Sequence, residues 1–177
     1  SPNPRAILEL DDFYVSKSLK KLLKRQIFKV TINHDFESVI EHCAKVNRKD
    51  AGTWITDAMV SAYKRMHKIG WAQSFEVWQH DKLVGGLYGI HVNGVFCGES
   101  MFHLVSNASK VAYVALVEYM KTHNMQFIDC QILNDHTESM GAHEITRDDY
   151  LHRLTALSAN STLPQPFTKM IWNFNHG

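Results

Sequence analysis

Apolar and polar residues recur along this chain with two different periods, and the change from one period to the other marks out its elements. Over residues 16–25, Leu19, Leu22 and Leu23 share one helical arc, while Lys17, Lys20, Lys21, Lys24 and Arg25 fall on the other at about 100° per residue. This spacing predicts an amphipathic helix with a basic back. Phe28, Val30 and Ile32 then alternate with polar residues as a strand does, and Asp35 is placed to cap a helix whose apolar face is Phe36, Val39, Ile40 and Cys43. Residues 52–55 read as a short extended stretch. Thr56 opens a third helix carrying Met59, Val60, Tyr63, Met66 and His67, with Gly70 closing it. Helices are thus expected to dominate the first seventy residues.

Three strands follow, over residues 74–79, 83–91 and 95–102. They are joined by His80-Asp-Lys82 and by Asn93-Gly94, the strongest short-range hairpin signal. Asn107 or Ser109 opens a long helix in which Ala112, Val114, Ala115, Leu116, Val117 and Tyr119 make most of the circumference apolar, so it is expected to be deeply buried. A strand over residues 126–132 comes after it. Strand, buried helix and strand in succession imply a crossover and parallel neighbours. The expected fold is α/β (α+β): a mixed central sheet with helices on both faces, in the layout of a GNAT-like acyltransferase.

Composition narrows the picture. At 177 residues and 45% hydrophobic content the chain suffices for one core and is short for two large domains, so a single domain over residues 1–177 is expected. With 19 Lys+Arg against 18 Asp+Glu, bulk charge does not mark a nucleic-acid binder, and any such surface must come from local clustering. Cys43, Cys97 and Cys130 have no CxxC spacing, which argues against a disulfide framework or a zinc site and favours a reducing compartment. There is no signal-peptide layout at the start and no apolar run near the roughly 20 residues that span a bilayer. The expectation is a soluble, cytoplasmic protein, a monomer without membrane partners.

Several segments stand in a distinctive order: Ser1-Pro-Asn-Pro-Arg5, Gly52-Thr-Trp-Ile-Thr56, Gly70 with Ser74-Phe-Glu-Val-Trp78, Leu83-Val-Gly-Gly-Leu-Tyr-Gly89 and Phe96-Cys-Gly-Glu-Ser-Met-Phe102. They continue with Asn107-Ala-Ser-Lys110, Ile128-Asp-Cys-Gln131, Asn134-Asp-His-Thr137 and Ser139-Met-Gly-Ala142. In this order they resemble the leucyl/phenylalanyl-tRNA–protein transferase family across nearly the whole chain. The resemblance implies transfer of Leu or Phe, and also Met, from aminoacyl-tRNA to acceptor proteins with an amino-terminal Arg or Lys. The product would carry an N-degron, and no cofactor is implied. Members of that family usually carry a small domain upstream of the Ser-Pro-x-Pro-Arg motif, at which this sequence begins, so that domain is expected to be absent here.

Such a donor is already an activated ester, so the chemistry needs placement of an unprotonated amine and stabilisation of an oxyanion, with no metal or enzyme nucleophile. Asp129 stands in a strand otherwise reading Phe-Ile-x-Cys-x-Ile, where a carboxylate is costly to bury without partners. Gln131, two residues on, is expected on the same face. By resemblance the two form the catalytic centre, Asp129 engaging the acceptor amine and Gln131 orienting it or steadying the intermediate. The structural alternative is an Asp that holds a loop. Glu99 follows Gly98 in an apolar strand, where the glycine permits a bulge or a close backbone approach. It is the third catalytic candidate, and its alternative is again structural.

Trp54, Tyr63, Phe96 and Met101 are candidates for the apolar walls of a side-chain pocket, although each alone reads more readily as core than as pocket. Trp54 or Tyr63 would also stack on the terminal adenosine, and Leu87 is a further candidate. Asn134 and His136, in a polar loop after the Asp129 strand, are placed to bind ribose or peptide backbone. His136 as a base ranks below a loop-organising role, since none of the 11 histidines has metal-site or triad spacing. Cys97 and Cys130 are expected to face away from Glu99 and Asp129 into the core. Lys17, Lys20, Lys21, Lys24, Arg25 and Lys29 place six of the 19 basic residues within thirteen positions, a stripe suited to tRNA phosphates or simply a solvated helix face.

Two other functions fit the layout. One is a coenzyme A-dependent N-acetyltransferase, against which stands the lack of a Q/R-x-x-G-x-G/A turn before the buried helix, where Ser106-Asn-Ala-Ser109 stands instead. The other is a non-catalytic binder of basic amino termini or tRNA.

Overall fold

The computed structural model describes residues 2–45, 55–158 and 167–174. Its strands are β1 (Arg5–Glu9), β2 (Lys29–Ile32), β3 (Ala72–Gln79), β4 (Lys82–Val92), β5 (Val95–His103), β6 (Phe127–Gln131), β7 (His143–Ile145) and β8 (Met170–Trp172). Its helices are α1 (Lys17–Lys24), α2 (Phe36–Lys45), α3 (Asp57–Lys68), α4 (Ala108–Thr122), α5 (Asp135–Glu138) and α6 (Arg147–Ser158). All the strands join one sheet in the order β7-β1-β6-β5-β4-β3-β2-β8. Neighbours are antiparallel except β5 and β6, which run parallel around the α4 crossover.

The local signals act as their chemistry requires. Ser16 caps α1 by accepting from the amide of Leu19, Thr56 caps α3 by accepting from Met59, and Asp35 accepts from the amide of Ser38. Both hairpins of the meander turn through two residues with positive φ, His80-Asp81 and Asn93-Gly94. That geometry matches the twist of the flanking strands. Gly70 takes φ +84° where α3 must stop. Asn107 precedes α4 in a left-handed conformation but makes no side-chain cap.

The sheet is covered on both faces. Phe75, Val77, Leu87 and Phe96 pack with α4, whereas Ala72, Tyr88 and Phe102 pack with α2 and α3. Farther along, Ile7, Val95 and Phe127 receive Tyr150 of α6. Since Val95 and Phe96 are consecutive, α6 covers the face opposite α4.

Two features depart from the sequence expectation. The chain opens on a strand before its first helix, and β1 lies between β7 and β6 rather than at an edge. Ala6, Ile7 and Leu8 are all fully buried, so the segment shows no alternation by which to recognise it. The polar stretch after β6 is also ordered, into α5, β7 and α6.

Glu76 is fully buried at the entry to α2, where it accepts from the hydroxyls of Thr31 and Ser74 and from the amide of His34. Burial, opposed by these hydrogen bonds, raises its carboxyl pKa. Between the unfolded value and this raised one the folded state holds a proton that the unfolded state has lost, so stability falls as pH climbs through that window. Glu76→Gln removes this dependence. Urea denaturation at a series of pH values is expected to move in favour of the variant as pH rises above the unfolded Glu value of about 4.3. A pH-independent difference would contradict the raised pKa.

Candidate active site

The site is built where β5 and β6 part. Their parallel register ends at Cys97 opposite Asp129, and both strands carry an irregularity there. On β5, Tyr88 and Gly89 pair with Ser100 and Gly98, so Glu99 is an extra residue bulging from the ladder. On β6, Ile7 and Ala6 pair with Asp129 and Gln131, so Cys130 is the extra residue. Bulges re-aim side chains and end pairing, and two facing ones open the sheet. The bulge expected at Gly98 is present, but the close backbone approach is at Gly89 instead. A Cβ on Gly98 would come no nearer than 3.8 Å to the Asp129 carbonyl oxygen, whereas one on Gly89 would lie 2.2 Å from that of Cys97.

Asp129 is fully buried and fully engaged. The Arg5 guanidinium donates through Nε to Oδ1 at 2.8 Å and through Nη2 to Oδ2 at 2.5 Å. Tyr150 donates its hydroxyl to Oδ2 at 2.7 Å, the Cys97 thiol lies 3.4 Å from the same oxygen, and the Gln131 amide donates to Oδ1 at 2.9 Å. The Arg5 guanidinium also lies 5.0 Å from the centroid of the Tyr150 ring. Desolvation would lower the pKa of Arg5, but the hydrogen bond and charge of Asp129 outweigh it and the net shift is upward. Burial, with Asp129 adding to it, raises Tyr150.

Gln131 belongs to the same network, though not by simple alternation. It sits at φ +65° and donates from Nε2 to the Gly98 carbonyl at 3.1 Å. Cys97 corrects the sequence reading. It turns toward Asp129 rather than away, and burial together with the charges of Asp129 and Glu99 pushes its thiol up, so it is an unreactive neutral group. Cys130 does face the α4 side, beside Tyr113, and burial raises its thiol to about 11 against the opposing hydrogen bond from Tyr113.

A cavity of about 460 Å³ fills the gap between the parted strands. Leu87, Phe96, Met101, Tyr113, Leu116 and Ile128 form an apolar wall, and Glu99, Asn134 and His136 contribute polar groups. Of the residues singled out in the sequence, Glu99, Leu87, Phe96, Met101, Asn134 and His136 therefore line one cavity. Asp129 and Gln131 support it from behind and do not line it. Both oxygens of Asp129 are already held by partners.

Tyr63 stands behind the lining, edge-on to Tyr88 at 5.1 Å, with its hydroxyl on Glu99. Burial, then the charge of Glu99, raises its pKa. Asn134 uses its carboxamide oxygen to cap α5 through the amides of His136 and Thr137, so the expected polar loop is a helical turn. The Nε2 of His136 is buried without a hydrogen-bond partner among the described residues, and burial, then Lys110 and His103, lowers the pKa of the ring. Trp54 and most of the 52–55 stretch lie outside the described residues.

The basic stripe is exposed as the sequence pattern implied. Lys17, Lys20, Lys21, Lys24 and Arg25 face solvent on α1, which packs on α4, the helix that supplies Tyr113 and Leu116 to the cavity. Sequence reasoning missed Arg5 and Tyr150 as members of the site. A carboxylate in an apolar strand called for a cation, and Arg5 ended a motif already noted, but nothing local pointed to Tyr150. No helix among the described residues is long and apolar enough to cross a membrane.

Comparison with known proteins bears on the fold and the family. A protein of Bacillus licheniformis described as L-PGS shares the fold at a TM-score of 0.53 and 11% identity, with 75% of this chain and 48% of that one covered. A leucyl/phenylalanyl-tRNA–protein transferase of Pseudoalteromonas atlantica is 48% identical over 172 residues, covering 97% of this chain and 71% of its own length. One from Flavobacterium johnsoniae is 50% identical over 152 residues, covering 85% and 72%. The family model described as leucyl/phenylalanyl-tRNA protein transferase matches residues 7–155, which take in the end of β1, the parted strands and most of α6, and the chain belongs to that family.

Proposed function

We propose that this chain is an aminoacyltransferase that moves Leu or Phe, and also Met, from aminoacyl-tRNA to the amino-terminal Arg or Lys of acceptor proteins, creating an N-degron. It would work as a cytoplasmic monomer, one domain in a GNAT-like fold whose parted parallel strands admit the acyl donor. The observation that carries this reading is a cavity with an apolar wall and a carboxylate, Glu99, in a chain of this family. Phe96, Met101 and Leu87 suit an unbranched apolar side chain. Glu99 suits a cationic acceptor, and the unpaired Nε2 of His136 suits a polar ligand atom.

The acceptor α-amine, with a pKa of about 7.7–8.0, is mostly protonated at neutral pH and must lose a proton before it attacks. Its nitrogen then bonds to the ester carbonyl carbon while the bond from that carbon to the ribose oxygen breaks, and the second proton that the nitrogen sheds on becoming an amide balances the one that the departing ribose oxygen takes up. In this reading Glu99 holds the acceptor and Gln131, steadied by Asp129, keeps the strands at the right separation. Tyr63 would steady Glu99 from behind the cavity wall. The exposed Lys17, Lys20, Lys21, Lys24 and Arg25 suit tRNA phosphates.

Radiolabelled Leu on tRNA, offered with an Arg-starting peptide, tests the reading, with acetyl-coenzyme A as control donor. Leu transfer is expected, and Glu99→Gln should raise the KM for the peptide about tenfold or more while the KM for the tRNA holds, as for the loss of one partner of a charge pair. Acetylation in place of Leu transfer would sink the proposal. A peptide KM untouched by Glu99→Gln would remove Glu99 from the acceptor site.

A further inference from the structure

We infer that Arg5 and Tyr150 are positioning residues that clamp Asp129, and through Gln131 set the separation of β5 and β6 at the cavity. This rests on the transferase reading, since it says how that cleft is kept in its working shape. The chain of contacts is continuous. Arg5 and Tyr150 occupy the Asp129 carboxylate from β1 and α6, Asp129 accepts from the Gln131 amide at 2.9 Å, and Gln131 donates to the Gly98 carbonyl at 3.1 Å. Gly98 immediately precedes Glu99, the bulged residue in the cavity wall.

Three physical points favour a positioning role over simple packing. Gln131 takes φ +65° at the end of a strand and outside any hairpin turn, a conformation uncommon for a residue with a side chain. The Asp129 oxygen, accepting from its amide, holds it there. The Gln131 to Gly98 bond then spans the strands just where their own ladder has stopped at Cys97 and Asp129, so it is the tie across the opening. Finally, the guanidinium fork meets both carboxylate oxygens while stacked near the Tyr150 ring, which fixes the carboxylate plane as a lysine would not. The Ser-Pro-Asn-Pro-Arg5 motif thereby delivers the fork to the back of the cleft.

Tyr150→Phe removes the hydroxyl and keeps the ring against Phe127, and Arg5→Lys keeps the charge and loses the fork. Val39→Ala, in the α2 core away from the clamp, controls for lost stability. Well below the melting temperature, both clamp variants should lower kcat for Leu transfer about tenfold or more, as small misplacements do, with the KM for tRNA within about twofold and Val39→Ala near wild type. Hydrogen exchange at the Gln131 amide should speed up in both clamp variants beyond the change in Val39→Ala. Unchanged kcat in the clamp variants, or a loss matched by Val39→Ala, would overturn the clamp. If the wild type transfers no Leu, the transferase reading fails, and the exchange rate alone judges the clamp: unaltered exchange at Gln131 overturns it.

Discussion

Asp129→Ala is expected to cost about 3–5 kcal/mol of folding stability, the usual penalty for leaving one partner of a buried ion pair alone, and to abolish Leu transfer. The Arg5 side chain is only 11% exposed and that of Asp129 1%, so water does not replace the lost carboxylate. Tyr150 and the Gln131 amide lose their acceptor in the same step. The double variant Arg5→Met with Asp129→Leu separates folding from function. Replacing both members of a buried pair by apolar groups of similar volume is often neutral, so much of the stability should return. Transfer should not return, because nothing then holds Gln131. Urea denaturation alongside the transfer assay reads both. A single-variant cost under about 1 kcal/mol would place the pair among solvent-screened ones and refute its burial.

Gly89→Ala should be the most damaging glycine substitution near the cleft, and Gly98→Ala one of the mildest. A Cβ on Gly89 would lie 2.2 Å from the Cys97 carbonyl oxygen and 2.6 Å from two ring atoms of Phe96. Neither neighbour has room to withdraw. Cys97 is paired to β6 on its other side, and Phe96 is fully buried and packed against Phe75 and Phe167. The expected loss is about 3 kcal/mol, at the top of the range for overpacking, and the β5 bulge that aims Glu99 should be disturbed with it. Gly98 has open space around its Cα, and its variant should lose less than about 1 kcal/mol, the cost of an ordinary substitution. Thermal melting of the two variants decides the matter, and equal losses would mean that the bulge places β4 and β5 otherwise than described.

Much of the site was legible because its members break the pattern of their strands. Asp129 and Glu99 are carboxylates in apolar runs, and Gly98 beside Glu99 suggested the bulge that is found there. What the pattern could not supply was the facing of residues beyond a bulge. Cys130 is an extra residue in its strand and breaks the alternation there, which is why Gln131 joins Asp129 through its amide, whereas Cys97 meets Asp129 because the two stand opposite each other in the parallel register. It also could not supply partners. Arg5 and Asp129 are 124 positions apart, and Tyr150 lies on a helix whose other residues are largely solvent-facing.

By itself the sequence determined the elements whose information is local. Helix periodicity, caps at Asp35 and Thr56, and the two-residue turn at Asn93-Gly94 act over a few residues, so α1 to α4, the β3–β4–β5 meander and β6 were there to be read. The tertiary structure alone decided where β1 inserts, since a strand buried on both faces has no alternation to betray it. It also decided that two bulges face each other so that the sheet opens, and that Asp129 spends its charge on Arg5 and leaves Glu99 as the carboxylate of the cavity. The cause is one of range: periodicity records which side of an element meets water, whereas a buried charge is settled by whichever distant group the fold brings within hydrogen-bonding distance.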